Sequence, residues 1–208
     1  MFKGNKKAVE STPQSNKNTY IAKEIEITGN FKGEGAVQIE GILHGDISVT
    51  SVVIGQNGTV NGSINATNVI VNGTLNGSIL CDTLEVMANG NINNEVKVKQ
   101  LLVSGTIDGT IEAKNEINIE PTGVISANVM KSKTILVNGR ILGKVIASEL
   151  LEVGTTGSVE GEIIVKNIKT HEGGRLIGSM QNYQEEETKP KVSDKNTVSQ
   201  KDESNLIV

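Results

Sequence analysis

Residues 54–79 read IGQNGTVNGSINATNVIVNGTLNGSI and state one unit twice. Each copy runs apolar anchor, Gly-containing turn, apolar residue, Gly two later and apolar residue two after that: Ile54, Val60, Gly62, Ile64, then Val71, Leu75, Gly77, Ile79. A spacing of two between apolar positions belongs to strands, and Asn-Gly supplies the positive φ of a tight corner. The stretch is therefore a set of short strands joined by corners.

The same unit extends in both directions. Its anchors are Ile39, Ile54, Val71, Val86, Val103, Ile119, Val137 and Val153, with Thr170 a polar last member: 131 residues in eight steps, about 16.4 per step. An apolar residue lies two before every anchor. A turn column follows (Gly45, Gly62, Gly77, Asn94, Gly109, Ala127, Gly143, Gly161, Gly178), and then an apolar one (Ile47, Ile64, Ile79, Val96, Ile111, Val129, Val145, Ile163, Met180). Short turns such as VNGTL (71–75) alternate with turns two residues longer, such as IGQNGTV (54–60). Repeats built only of strands and corners cannot bury a face alone and must stack coil on coil. The expected fold is all-β: a parallel β-helix, or β-solenoid, of about ten coils. Coil lengths that vary between fifteen and eighteen residues, rather than a strict hexapeptide register, favour the right-handed form. Coils about 4.8 Å apart make a rod of roughly 45 Å.

Bulk composition agrees. The chain has 208 residues, a formal charge of -4, 23 glycines and only 2% aromatics, so the core must be Ile, Val and Leu ladders rather than packed rings. It carries no secretory h-region and no apolar run near eighteen residues, and the expected compartment is the cytoplasm. The single Cys81 falls in a column with Val49, Ala66, Val98, Ala113, Ala147 and Val165, which points to a core role rather than a reactive thiol.

In chain order, residues 1–19 lack periodicity and read as a disordered tail. Its tip pairs Met1 and Phe2 with Lys3, Lys6 and Lys7, the composition of a peripheral membrane anchor as well as of a neutral polar tail. Residues 20–180 are the solenoid. Ile21, Ile25, Ile27 and Phe31 form an imperfect first coil in which Phe31, set equivalent to Leu43, lies twelve residues before it, so a face is shortened there. Lys131 interrupts the small apolar column and predicts a bulge after Val129. Pro121 stands at a corner, where a missing N–H costs least. Residues 181–208 hold six acidic and four basic residues and read as a second disordered tail, ending in Leu206, Ile207 and Val208, which could dock on a partner.

No residue pattern carries catalysis. His44 and His171 occupy polar turn-side positions with no acid evident beside either, and Asp46, Asp82 and Asp108 share no column. There is no G-x-x-x-x-G-K-[ST] loop, no calcium-binding glycine-aspartate repeat and no ligand cluster, so no cofactor and no metal are expected. A basic stripe and aromatic platforms are lacking, which argues against nucleic acid. The sequons at Asn57, Asn61, Asn65, Asn72 and Asn76 read as corners.

Repeated V-x-G-x-[LI]-x-G-x-[IV] units between two polar tails, behind a Met-Phe-Lys opening, resemble the bactofilin family over residues 1–180. The resemblance implies a bacterial cytoskeletal protein that polymerises without nucleotide, lies on the inner face of the cell membrane and positions cell-wall enzymes or other shape factors. It also implies a right-handed triangular β-helix. The residues themselves point to self-assembly, because the end coils of a parallel solenoid present unpaired backbone groups and an open core. Ile21, Ile25, Ile27 and Phe31 at one end, and Ile168, Leu176 and Ile177 at the other, are the expected polymer contacts. The alternatives are a β-helix enzyme acting on sugars or acyl groups, and a monomeric interaction scaffold.

Overall fold

The computed structural model describes residues 18–184. Every regular element among them is a strand, and every pairing between strands is parallel. The chain winds through ten coils, each contributing one strand segment to each of three faces. The first face carries Asn18–Ile21, Ala36–Ile39, Ser51–Ile54 and Asn68–Val71; the second carries Glu26–Thr28, Ile42–His44 and Thr59–Asn61; the third carries Phe31–Lys32, Ile47–Ser48 and Ile64–Asn65. From the fifth to the eighth coil, the corners between second, third and first faces straighten. Single strands of 13 or 14 residues, such as Asn91–Val103 and Val124–Val137, then cover all three.

The predicted columns are the observed ladders. Ile21 pairs with Ile39, Ile39 with Ile54, Ile54 with Val71 and so on to Val153 with Thr170. These inward residues alternate with exposed ones, and members such as Ile54, Val71, Leu84 and Ile117 are fully buried. Each buried aliphatic side chain contributes about 1.5–3 kcal/mol, so a narrow rod without large aromatics is held by one continuous aliphatic column.

Turn alternation has a packing cause. A long turn closes on itself, as where Gly58 N–H donates to the Gly55 carbonyl at 2.9 Å. In the next coil the short-turn glycine, Gly73, lies against the carbonyls of both Gly55 and Gly58, where a Cβ would collide. Pro121 occupies such a long turn, which the Gly123 N–H closes on the Glu120 carbonyl at 2.8 Å. The tenth coil departs from the alternation, stacking its long turn at His171–Gly174 on the long turn of the ninth.

Two expectations need correction. Phe31 pairs with Ile47 and Ile27 with Leu43, so the first coil is not shortened; a two-residue third-face strand was mistaken for the second face. The irregularity near Lys131 precedes Val129. Gly109 pairs with Ala127 but Thr110 with Val129, leaving Asn128 extra, and Met130 then stands in register with Ile111 and Val145. Met130 is thus the buried column member, Lys131 faces solvent, and Ser132 takes the small inward position opposite Ala147.

Candidate functional site: the two open ends

A solenoid coil donates and accepts backbone hydrogen bonds on both sides only if it has neighbours on both sides. Among the described residues, the first coil pairs only with the second and the tenth only with the ninth. Both rims therefore present unpaired strand edges.

The core is open at the same places. Leu151, Val159 and Ile163 of the ninth coil are buried, while their partners in the tenth are not: Ile168 is 38% exposed, Leu176 is half-buried and Met180 is 53% exposed. At the other end Ile27 and Phe31 are half-buried over Leu43 and Ile47, while Ile21 is already covered.

Of the residues expected at the ends, Ile21, Ile27, Phe31, Ile168 and Leu176 lie in the inward columns of the terminal coils. Ile25 sits in a corner turn, its N–H donating to Ala22, with its side chain exposed. Ile177 is in register with Glu160 and belongs to an outward row, so it faces sideways rather than along the axis. Met180 is the end residue that sequence reasoning omitted, although it was the last member of an apolar column. Met1, Phe2, Lys3, Lys6 and Lys7 lie outside the described residues.

The polar surface is arranged in rows along the rod. Asn93 Nδ2 donates to Asn76 Oδ1 at 3.0 Å, Asn76 Nδ2 donates to Asn61 Oδ1 at 2.9 Å, and the Asn61 amide lies 3.3 Å from His44 Nδ1. Like amides stacked at the strand spacing are matched donors and acceptors, which ties coil to coil. Asn61 and Asn76 are thus strand residues in a ladder and Asn65 also lies in a strand, contrary to expectation, whereas Asn57 and Asn72 occupy turns as expected. Residues 47–81, two full coils and more, contain no Asp, Glu, Lys, Arg or His.

Each histidine does have an acid beside it, contrary to expectation. His44 Nε2 lies 3.0 Å from Glu26 Oε1 and His171 Nε2 lies 2.6 Å from Glu152 Oε1. The partners come from neighbouring coils, eighteen and nineteen residues away, a proximity that only the coil register reveals. Glu152 also accepts from Lys169 Nζ at 2.7 Å. The Lys169 hydrogen bond, followed by that of His171, holds the Glu152 carboxyl below the usual carboxylate range. These are surface clasps between coils. Cys81 is buried, and that burial, helped by Asp82, pushes its thiol up to about 12, the opposite of activation. No group of three or more potential metal ligands occurs among the described residues.

A parallel solenoid whose two rims are unpaired among the described residues defines a class of protein: a stacked rod with both ends open to further stacking. The family comparison agrees: a family model described as Bactofilin, polymer-forming cytoskeletal, matches residues 19–104 and again 98–181. The chain belongs to the bactofilin family. Each match covers about five coils. No curated protein and no solved structure matches the chain.

Proposed function

We propose that this chain is a filament subunit that assembles end to end without nucleotide or metal, lies on the inner face of the cell membrane and serves there as a scaffold for cell-shape or cell-wall factors. The observation that carries the proposal is the open core at the tenth coil, where Ile168, Leu176 and Met180 stand partly in water above a fully buried ninth coil. Stacking a second rod on this rim covers those side chains and pairs two strand edges at once. Among the described residues no helix is long and apolar enough to cross a membrane. In this reading attachment falls to the tip. Met1 and Phe2 supply about 1.5–3 kcal/mol each on full insertion, and Lys3, Lys6 and Lys7 about 1 kcal/mol apiece beside anionic lipid. One tip holds weakly. Many tips on one filament hold firmly, because each bound tip raises the local concentration of the next.

A pelleting assay with and without anionic vesicles tests both halves. The intact chain is expected to sediment alone and with vesicles. Leu176→Arg or Phe31→Arg places an unpaired charge in the contact, at several kcal/mol, and is expected to keep the strand spectrum, stay in the supernatant and bind vesicles feebly. Phe2→Ser with Lys3→Glu is expected to polymerise but leave the vesicles. Normal filaments from both arginine variants contradict end-on assembly; undiminished vesicle binding by the tip variant contradicts the anchor.

A further inference from the structure

A groove runs along the rod at the corner between the third and first faces, continuous from Gly33 to Ser148. One section of it, about 480 Å³, has Cys81 and Val98 as a floor and the exposed Leu80 as a wall. Small residues hold the inward position at this corner in successive coils, Ala66, Cys81, Val98, Ala113, Ser132 and Ala147, and fill less of it than the Ile and Leu of the other inward columns do. Toward the tenth coil the rim is basic. Lys97, Lys99, Lys114, Lys131 and Lys133 line the two adjoining sections against only Asp82 and Glu112. Lys99 is held by Asp82 and Lys97 by Glu95, both at 2.8 Å, and Lys133 lies 3.8 Å from Glu149, whereas among the described residues Lys114 and Lys131 pair with no carboxylate.

The chain leaves the solenoid at the end of this groove. Asn182 pairs with Val165 and Tyr183 N–H donates to the Val165 carbonyl at 2.9 Å; Val165 stands above Ala147, and Ala147 above Ser132, in the column that floors the depression. We propose that residues 202–208 of the same chain, DESNLIV, lie back in this groove, with Leu206, Ile207 and Val208 on Leu80, Cys81 and Val98 and Asp202 and Glu203 toward the lysine rim. Three observations favour this occupant. Residues 206–208 are the one run of three apolar residues in 185–208, and an acidic pair precedes them at short distance. The segment 185–208 carries six acidic and four basic residues, opposite in sign to the rim, while the amino-terminal tip has Lys3, Lys6 and Lys7 and matches the rim's sign. The length suffices: six coil steps from the tenth coil to Leu80 span about 29 Å, and the 23 residues from Tyr183 to Leu206 reach about 76 Å when extended.

Disulfide trapping in the full-length chain tests it. With Cys81→Ala as background, Asn65→Cys places a thiol at the groove and Gln56→Cys places one at the same coil on another corner; each is combined with Val208→Cys in a glutathione buffer. An intrachain disulfide is expected to form at least tenfold faster with Asn65→Cys than with Gln56→Cys, and the advantage is expected to vanish when Leu206→Asp and Ile207→Asp are added. Equal rates for the two positions overturn the proposal. Disulfides forming mainly between chains overturn it in favour of docking on a neighbouring subunit. A faster trap with Phe2→Cys than with Val208→Cys gives the groove to the amino-terminal tip and overturns it as well.

Discussion

Ser132 stands where other coils place alanine, valine or cysteine, and its hydroxyl oxygen is buried without a hydrogen-bond partner. An unsatisfied buried hydroxyl costs about 1–3 kcal/mol. We therefore expect Ser132→Ala, which keeps the Ala147 packing, to stabilise the solenoid by about 1 kcal/mol, seen as a higher denaturant midpoint at unchanged slope. A loss of similar size would mean that the hydroxyl has a partner in solution. At this scale the sequence was read well where a column repeats without change, and poorly where one insertion shifts parity. Val129 looked like a column member because it is aliphatic, and Lys131 looked misplaced because it follows by two. Moving the register by one residue turns every side chain over, which puts Met130 and Ser132 inside and Lys131 outside. The His44–Glu26 and His171–Glu152 contacts escaped for a related reason: they join residues one coil apart, and the coil length varies too much for spacing alone to align side chains.

The corner between second and third faces explains that insertion. Its residue takes positive φ in coil after coil, with Gly143 at 129° and a Cβ there colliding with the Ala127 carbonyl; Asn94, also at 129°, is the one non-glycine that adopts it here. Ala127 does not take positive φ, and its coil turns the corner with the extra Asn128 instead. The bulge is thus the consequence of a missing glycine. Deleting Asn128 alone should force Ala127 into the strained corner and cost about 1–3 kcal/mol, whereas the same deletion with Ala127→Gly should recover most of that loss. Equal stability of the two deletion proteins would show that the bulge has another cause. Corner glycines were legible in the sequence because strand period and turn chemistry coincide there. The first coil was less so, since its third-face strand, Phe31–Lys32, is two residues long and carries no period of its own.

Over the whole molecule, ten coils follow from one periodicity, and the open ends follow from the absence of a covering element among the described residues. Sequence reading located most of the end residues because they are the last members of unbroken columns. It misplaced Ile25, which lies exposed in a corner turn, and Ile177, whose direction depends on the register of the tenth coil, and passed over Met180. The lengthwise groove was not legible at all, since it arises from small residues about sixteen positions apart that become one surface only after stacking. If the rods join through their rims, each subunit must add its full length to the filament. Electron microscopy of the purified chain in chelator, without nucleotide, measures this directly. End-on stacking predicts unbranched filaments one rod wide, with an axial rise of about 48 Å per subunit from ten coils at about 4.8 Å. A rise well below 40 Å, or filaments that appear only when nucleotide or a divalent ion is added, would contradict it.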